Sequence, residues 1–282
     1  MHGNLAKNFI KTAGKYLAVG AGYFLTWIIL EYLGVSLGMI DTGIARGFTD
    51  LLWRALVPGI LLAVLLGTLA SRLPVSFRRH MLVWGCIIWL NNTAILVKGK
   101  YYWPDLAAGN IWWMIFLQAA AACVTAGLLA KLFGPRDTVQ VGSIRQNRSF
   151  FGWIIRFAAG AGSYLLLSMF FAFTAVQATA GLPSSGPGGG LFGQGLIVEA
   201  VDGVLAAASL LPFILTMRTT KWELAFTCAF ILAVIGSLIP YAFQAQILPW
   251  IKLENFWIGV ARNFCTGLVA ASLLRNRLVM RY

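Results

Sequence analysis

The chain has little charge and almost no histidine. Charged residues make up 11% of its 282 residues, and the only histidines are His2 and His80. A soluble domain carries about 25% charged residues. With 59% of its residues hydrophobic, this chain cannot cover its surface with polar groups in water, so its solvent is lipid. The scarcity of histidine, with both residues expected in basic cytoplasmic segments, argues against haem or zinc, and no cofactor or metal is expected. Cysteine is also sparse. Cys86, Cys123, Cys228 and Cys265 each lie within an apolar run and read as small buried hydrophobes rather than ligands or disulfides. Catalytic patterns are missing as well: there is no Glu-Glu-x-x-x-Arg, no His-Glu-x-x-His, no Gly-x-Ser-x-Gly and no aspartate pair. An enzyme is therefore not the expected reading, since acid–base chemistry would fall to a few external carboxylates. The glycine-rich stretch 180–195 lacks the Gly-Lys-Ser/Thr of a phosphate-binding loop. It reads as a surface loop, or more sharply as a gate over an external opening.

What the sequence does have is long apolar runs. Uninterrupted runs, rather than alternation every second residue, favour helices over a transmembrane barrel. The run from Tyr16 to Ile40 follows Lys7, Lys11 and Lys15 but exceeds a signal peptide's apolar core of about 7–15 residues, so a first membrane helix is expected there. The fold class expected is an all-α polytopic bundle of about eight transmembrane helices, near 16–38, 51–70, 81–98, 111–133, 153–178, 196–217, 224–243 and 256–274. Pro58, Pro212 and Pro240 should bend their spans, and Asn91 and Asn92 make the third the least regular.

Eight spans divide the 22 lysines and arginines 16 to 6 between the two sides. The richer side includes both termini, which the positive-inside rule places in the cytoplasm of a cell-membrane protein. Topology therefore accounts for the net charge of +13 without nucleic acid. The basic turns should also attract anionic lipid headgroups, by about 1 kcal/mol each.

The two halves resemble each other. Gly20 and Gly22 align with Gly160 and Gly162 at an offset of 140. Trp103 and Pro104 align with Leu248 and Pro249 at 145, and Asn110, Ile111 and Trp112 with Asn255, Phe256 and Trp257. A parallel 4+4 tandem repeat is the expected organisation: 1–135, a cytoplasmic linker at 136–150, and 151–282. Ala18 with Gly22, and Ala158 with Gly162, have the small-xxx-small spacing of close helix contacts. Tyr101, Tyr102, Trp103, Trp112, Trp113, Trp250 and Trp257 fall where an outer aromatic belt would lie.

Candidate binding residues are the polar groups stranded in apolar spans. A charge at mid-membrane costs at least about 2.5–3.5 kcal/mol and usually faces protein or water. Glu199 and Asp202 share one face of the sixth span, and Arg262 in the eighth reaches a similar depth. An ion pair of Arg262 with either acid is expected, as a helix clamp or as the mouth of a substrate site. Glu31, late in the first span, can join this external cluster. Asn91, Asn92, Gln118 and Asn263 serve as interhelical hydrogen-bonding groups or as the lining of a polar cavity. Asp50 and Arg54 read as a local helix pair. Two functions fit: a small transporter or flippase of lipid-like, hydrophobic substrates, or a non-catalytic subunit that holds protein partners in a larger membrane complex.

Overall fold

The computed structural model describes residues 2–40, 52–102, 110–134, 149–178, 194–217, 219–240 and 253–275. Outside them lie Asp50, Trp103, Pro104, Leu248, Pro249, nearly all of the expected linker and residues 180–193 of the glycine-rich stretch, together with the side chains of Arg54 and Asn255. Every secondary-structure element among the described residues is helical. In order they are α1 (His2–Ser36), α2 (Val57–Ala70), α3 (Phe77–Tyr102), α4 (Ile111–Phe133), α5 (Phe150–Ala178), α6 (Gln194–Thr216), α7 (Lys221–Ala233) and α8 (Leu253–Leu274).

Seven of these runs are long and apolar enough to cross a membrane, and the protein is a polytopic membrane helix bundle. The run that departs from expectation is α2. Its 14 residues rise only about 21 Å, against about 30 Å of hydrocarbon. A five-residue π turn, Leu52–Leu56, precedes it, and a second, Val234–Leu238, follows α7. Both π turns stand just before a proline, Pro58 and Pro240. A proline ring collides with the carbonyl four residues back, and widening the turn there relieves the collision. Pro212 instead sits inside an α-helical run, where the Thr216 hydroxyl donates to its carbonyl at 2.5 Å.

Helix starts follow local chemistry. The Asn110 side chain accepts from the Trp112 amide at 2.9 Å, which caps α4. Thr220 does the same for α7 by accepting from the Glu223 amide, with Glu223 placed as in a capping box. α3, expected to be the shortest span, is instead an unbroken 26-residue helix, whose Asn91 donates to Ser209 on α6.

The chain divides into two compact units, Met1–Trp89 with Ala107–Gly142, and Leu90–Leu106 with Ser143–Tyr282. In the first unit α1, α2 and α4 pack on one another; in the second α5, α6 and α8 do, with α7 against α8. One glycine contact occurs in both. A Cβ added at Gly59 of α2 would lie 2.9 Å from the Gly20 carbonyl oxygen and 3.0 Å from Tyr23 Cβ of α1. At Gly203 of α6 it would lie 2.5 Å from the Ala161 carbonyl oxygen and 3.0 Å from Tyr164 Cβ of α5. The buried faces also agree in register. Gln118, Ala121, Ala122, Thr125, Ala126 and Leu129 are buried in α4, as are Asn263, Thr266, Gly267, Ala270, Ala271 and Leu274 in α8.

These contacts set a register one residue away from the glycine alignment in the sequence: Tyr23 corresponds to Tyr164, and Gly20 to Ala161. The small-xxx-small reading holds at Gly22, where an added Cβ would collide with Leu128 Cδ1 of α4, but not at the other three residues. Ala18 and Ala158 are exposed, and nothing lies within 4 Å of a Cβ added at Gly162. Backbones come close where Gly59 of α2 meets Gly20 of α1 and where Gly203 of α6 meets Ala161 of α5.

Candidate functional site

All of the charged site described below lies within the second unit. α6 supplies both acids. Glu199 and Asp202, three residues apart, share one helix face in its first half. Asp202 stands eight residues into α6, about 12 Å along its axis, and Arg262 nine residues into α8, about 13.5 Å. α5 adds Tyr164 and Ser168, one turn apart, and α3 adds Lys98 from its last turns.

Lys98 is the centre of the cluster. Its Nζ lies 2.6 Å from Asp202 Oδ2 and 3.0 Å from Glu199 Oε1, and it donates to Tyr164 Oη at 3.1 Å. The Tyr164 hydroxyl in turn donates to Asp202 Oδ2. Ser168 Oγ donates to Glu199 Oε2 at 2.9 Å. Arg262 Nη1 approaches the same oxygen at 3.5 Å, the outer limit of an ion-assisted hydrogen bond, and its guanidinium carbon stands 4.8 Å from the Tyr164 ring centroid. The four charged side chains are only 11–19% exposed, so the medium screens them weakly yet the site is not sealed. Two cations and two anions give the quartet a formal charge of zero.

Of the residues singled out in the sequence, Glu199, Asp202 and Arg262 are brought together. The expected pairing holds for Arg262 with Glu199, whereas the close partner of Asp202 is Lys98. Lys98 was placed at the outer end of its span, with the loop cations. α3 continues to Tyr102, so Lys98 lies within the helix rather than at its end, and its ammonium meets the acids of α6. Tyr164 and Ser168 were not anticipated either. A tyrosine and a serine in an apolar span are too common to stand out, and only their contact with the acids identifies them.

Asn91 belongs to the same helix pair. Its Nδ2 donates to Ser209 Oγ at 2.9 Å. Asn91 and Lys98 are seven residues apart on α3, as are Ser209 and Asp202 on α6, in opposite chain directions. The two contacts are therefore rungs of one antiparallel helix pair, about 10.5 Å apart. Asn91→Ala is expected to destabilise this pair by about 0.6–2 kcal/mol. A melting curve in detergent equal to the parent's would show that the rung contributes nothing.

Asn263, next to Arg262, faces elsewhere: its Nδ2 donates to Ser237 Oγ at 2.7 Å, against the π turn after α7. Gly236 leaves the space for it, since a Cβ there would lie 2.7 Å from Asn263 Nδ2. Asn92, beside Asn91 on α3, is half-buried. Gln118, buried in α4, and Glu31, half-buried in α1, belong to the first unit. His80, expected in a basic segment, is buried. It is 1% exposed and accepts from Trp84 Nε1 at 3.0 Å through Nδ1. Among the described residues no group of three or more His, Cys, Asp or Glu side chains is arranged to hold a metal ion.

The first unit provides an internal comparison. Four residues before Gly59 is Ala55, where Glu199 precedes Gly203, and directly before it is Pro58, where the second unit has Asp202. Four residues after Tyr23 is Trp27, where Ser168 follows Tyr164, and Leu117 precedes the buried Gln118 as Arg262 precedes Asn263. The same helix contact is thus made without charge, so packing alone does not call for the quartet.

No protein-family model, no curated protein and no solved structure matches this chain.

Proposed function

We propose that this protein is a small translocator of amphipathic, lipid-like molecules, built on a duplicated helix bundle, with the charged cluster of the second unit as its polar contact. The observation that carries this reading is the quartet itself: four charged groups only 11–19% exposed in largely apolar spans, three of them, Glu199, Asp202 and Arg262, at positions where the first unit has Ala55, Pro58 and Leu117. Removing ions from water costs several kcal/mol each even when they are paired. Bundles that need only to pack replace such groups with apolar ones, and those that keep them use them on substrate or ion routes. A substrate with its own hydrocarbon needs few further polar groups along its path, in keeping with how few this chain has.

In this reading α2, lengthened by its π turn, is an eighth crossing. The termini then face the cytoplasm of a cell membrane, where the basic turns hold anionic headgroups. An epitope at the C-terminus is expected to become accessible only after the cell is permeabilised, and labelling on intact cells would overturn the orientation.

Translocation is tested with the purified chain in vesicles carrying fluorescent-headgroup lipids. The expected result is quenching, by a membrane-impermeant reductant, of well over the half of the dye that empty vesicles lose. Loss of only that half, together with constant co-purification with one protein, would replace this reading by that of an accessory subunit in a larger membrane complex.

A further inference from the structure

We infer that the Lys98, Glu199, Asp202 and Arg262 quartet binds a zwitterionic group, one ammonium with one phosphate or carboxylate, by exchanging its internal ion pairs for ligand ones. The inference rests on the translocator reading above and names its substrate class.

Charge balance is the first argument. The quartet is neutral as it stands. A ligand of net charge would leave one uncompensated charge in a weakly screened site, at a cost of several kcal/mol. A zwitterion leaves the sum at zero and every charge paired.

The arrangement of the groups is the second argument. Both acids project from α6, whereas the cations come from two other helices, α3 and α8. The two anions thus form one face, suited to a ligand ammonium. The Tyr164 ring beside them already receives cations, with Arg262 Cζ at 4.8 Å and Lys98 Nζ at 5.4 Å from its centroid. Arg262 offers a planar fork that fits phosphate or carboxylate bidentately.

The internal pairs are also unequal. Lys98 holds Asp202 at 2.6 Å, while Arg262 meets Glu199 at 3.5 Å. The looser contact opens first, so that the guanidinium turns to the ligand's anion and Glu199, still 3.0 Å from Lys98, shares its carboxylate with the ligand's ammonium, while the tighter pair keeps α3 on α6. Residual exposure of 11–19% at the four side chains lets such a group reach them.

The test uses the full chain in a neutral detergent and measures affinity for short-chain phosphatidylethanolamine, phosphatidylglycerol and diacylglycerol. Phosphatidylethanolamine is expected to bind at least tenfold more tightly than the anionic or the neutral lipid; equal affinity for the three overturns the inference. Glycerophosphoethanolamine distinguishes a lipid from a free zwitterion. Binding as tight as the lipid's assigns the site to a free zwitterion, and weaker binding to a membrane lipid. Both results keep the zwitterion chemistry.

Arg262→Met should abolish the preference. Should that variant not fold, the double variant Arg262→Met with Glu199→Leu keeps the site neutral and removes the pair that the ligand exchanges. A double variant that retained the full preference would also overturn the inference. Selective binding without translocation would remove the function proposed above and leave this site standing. Translocation without headgroup preference would do the reverse.

Discussion

Lys98→Met is expected to destabilise the second unit by about 3–5 kcal/mol, the usual cost of removing one partner from a buried ion pair. Lys98 is the only one of the two cluster cations within 3.1 Å of both acids and of Tyr164 Oη. Without its ammonium, Asp202, 13% exposed, retains the Tyr164 hydroxyl as a donor but loses its close cation. Adding Asp202→Leu should restore most of the loss, because the double variant leaves Glu199 with Arg262 as a neutral pair. Replacing both partners of a buried pair by apolar groups of similar size is often close to neutral. Thermal unfolding in detergent, followed by size-exclusion chromatography, measures both variants. A Lys98→Met protein as stable as the parent would remove the central role assigned to Lys98. A double variant less stable than the single one would mean that Asp202 is held by groups other than the ammonium.

The second large effect is expected at Gly267. A Cβ there would lie 2.5 Å from Ala229 Cα and 2.6 Å from both the Ala229 nitrogen and the Cys228 carbonyl oxygen. All three are backbone atoms of α7, which cannot rotate away as a side chain can. Gly267→Ala must therefore push α8 off α7, with a loss of at least about 1–3 kcal/mol. Gly162→Ala is the control. With nothing within 4 Å of its Cβ, the helical preference of alanine should leave stability unchanged or raise it by up to about 1 kcal/mol. Equal melting temperatures for the two variants would mean that α7 and α8 do not meet through this glycine.

Much of the architecture was legible in the sequence because apolar run length and lipid thickness are directly commensurate. The spans at 111–133 and 256–274 agree with α4 and α8 to within a few residues. Span ends were read less well. The third span was ended at 98, whereas α3 runs to Tyr102 and holds Lys98 inside the helix, its ammonium meeting two carboxylates. The third span was doubted for Asn91, which a hydrogen bond to Ser209 accommodates.

Half of the site could be read in advance. Glu199, Asp202 and Arg262 stood out because ionised residues are rare in apolar spans. Lys98, Tyr164 and Ser168 did not, since their importance comes entirely from neighbours 31 to 104 residues away in the chain. The repeated glycine contact shows the same limit. Gly20 and Gly22 aligned by identity with Gly160 and Gly162, but the contacts pair Tyr23 with Tyr164, one residue out of that register. Helices pack by the shape of a face, and a small-residue alphabet aligns almost as well one residue away.

By itself, the amino-acid order determined the medium, the helical class, the approximate number of spans and the rarity of buried charge, because each is a sum over neighbouring residues set against the cost of polar groups in hydrocarbon. Tertiary structure decided which cation meets which acid, that α2 falls short in α-helical length, and that glycines of α2, α6 and α8 rather than Gly162 carry the tight contacts. Those outcomes depend on how far each helix runs and how it is rotated about its axis. Packing against other helices sets both, and no local stretch of sequence encodes them.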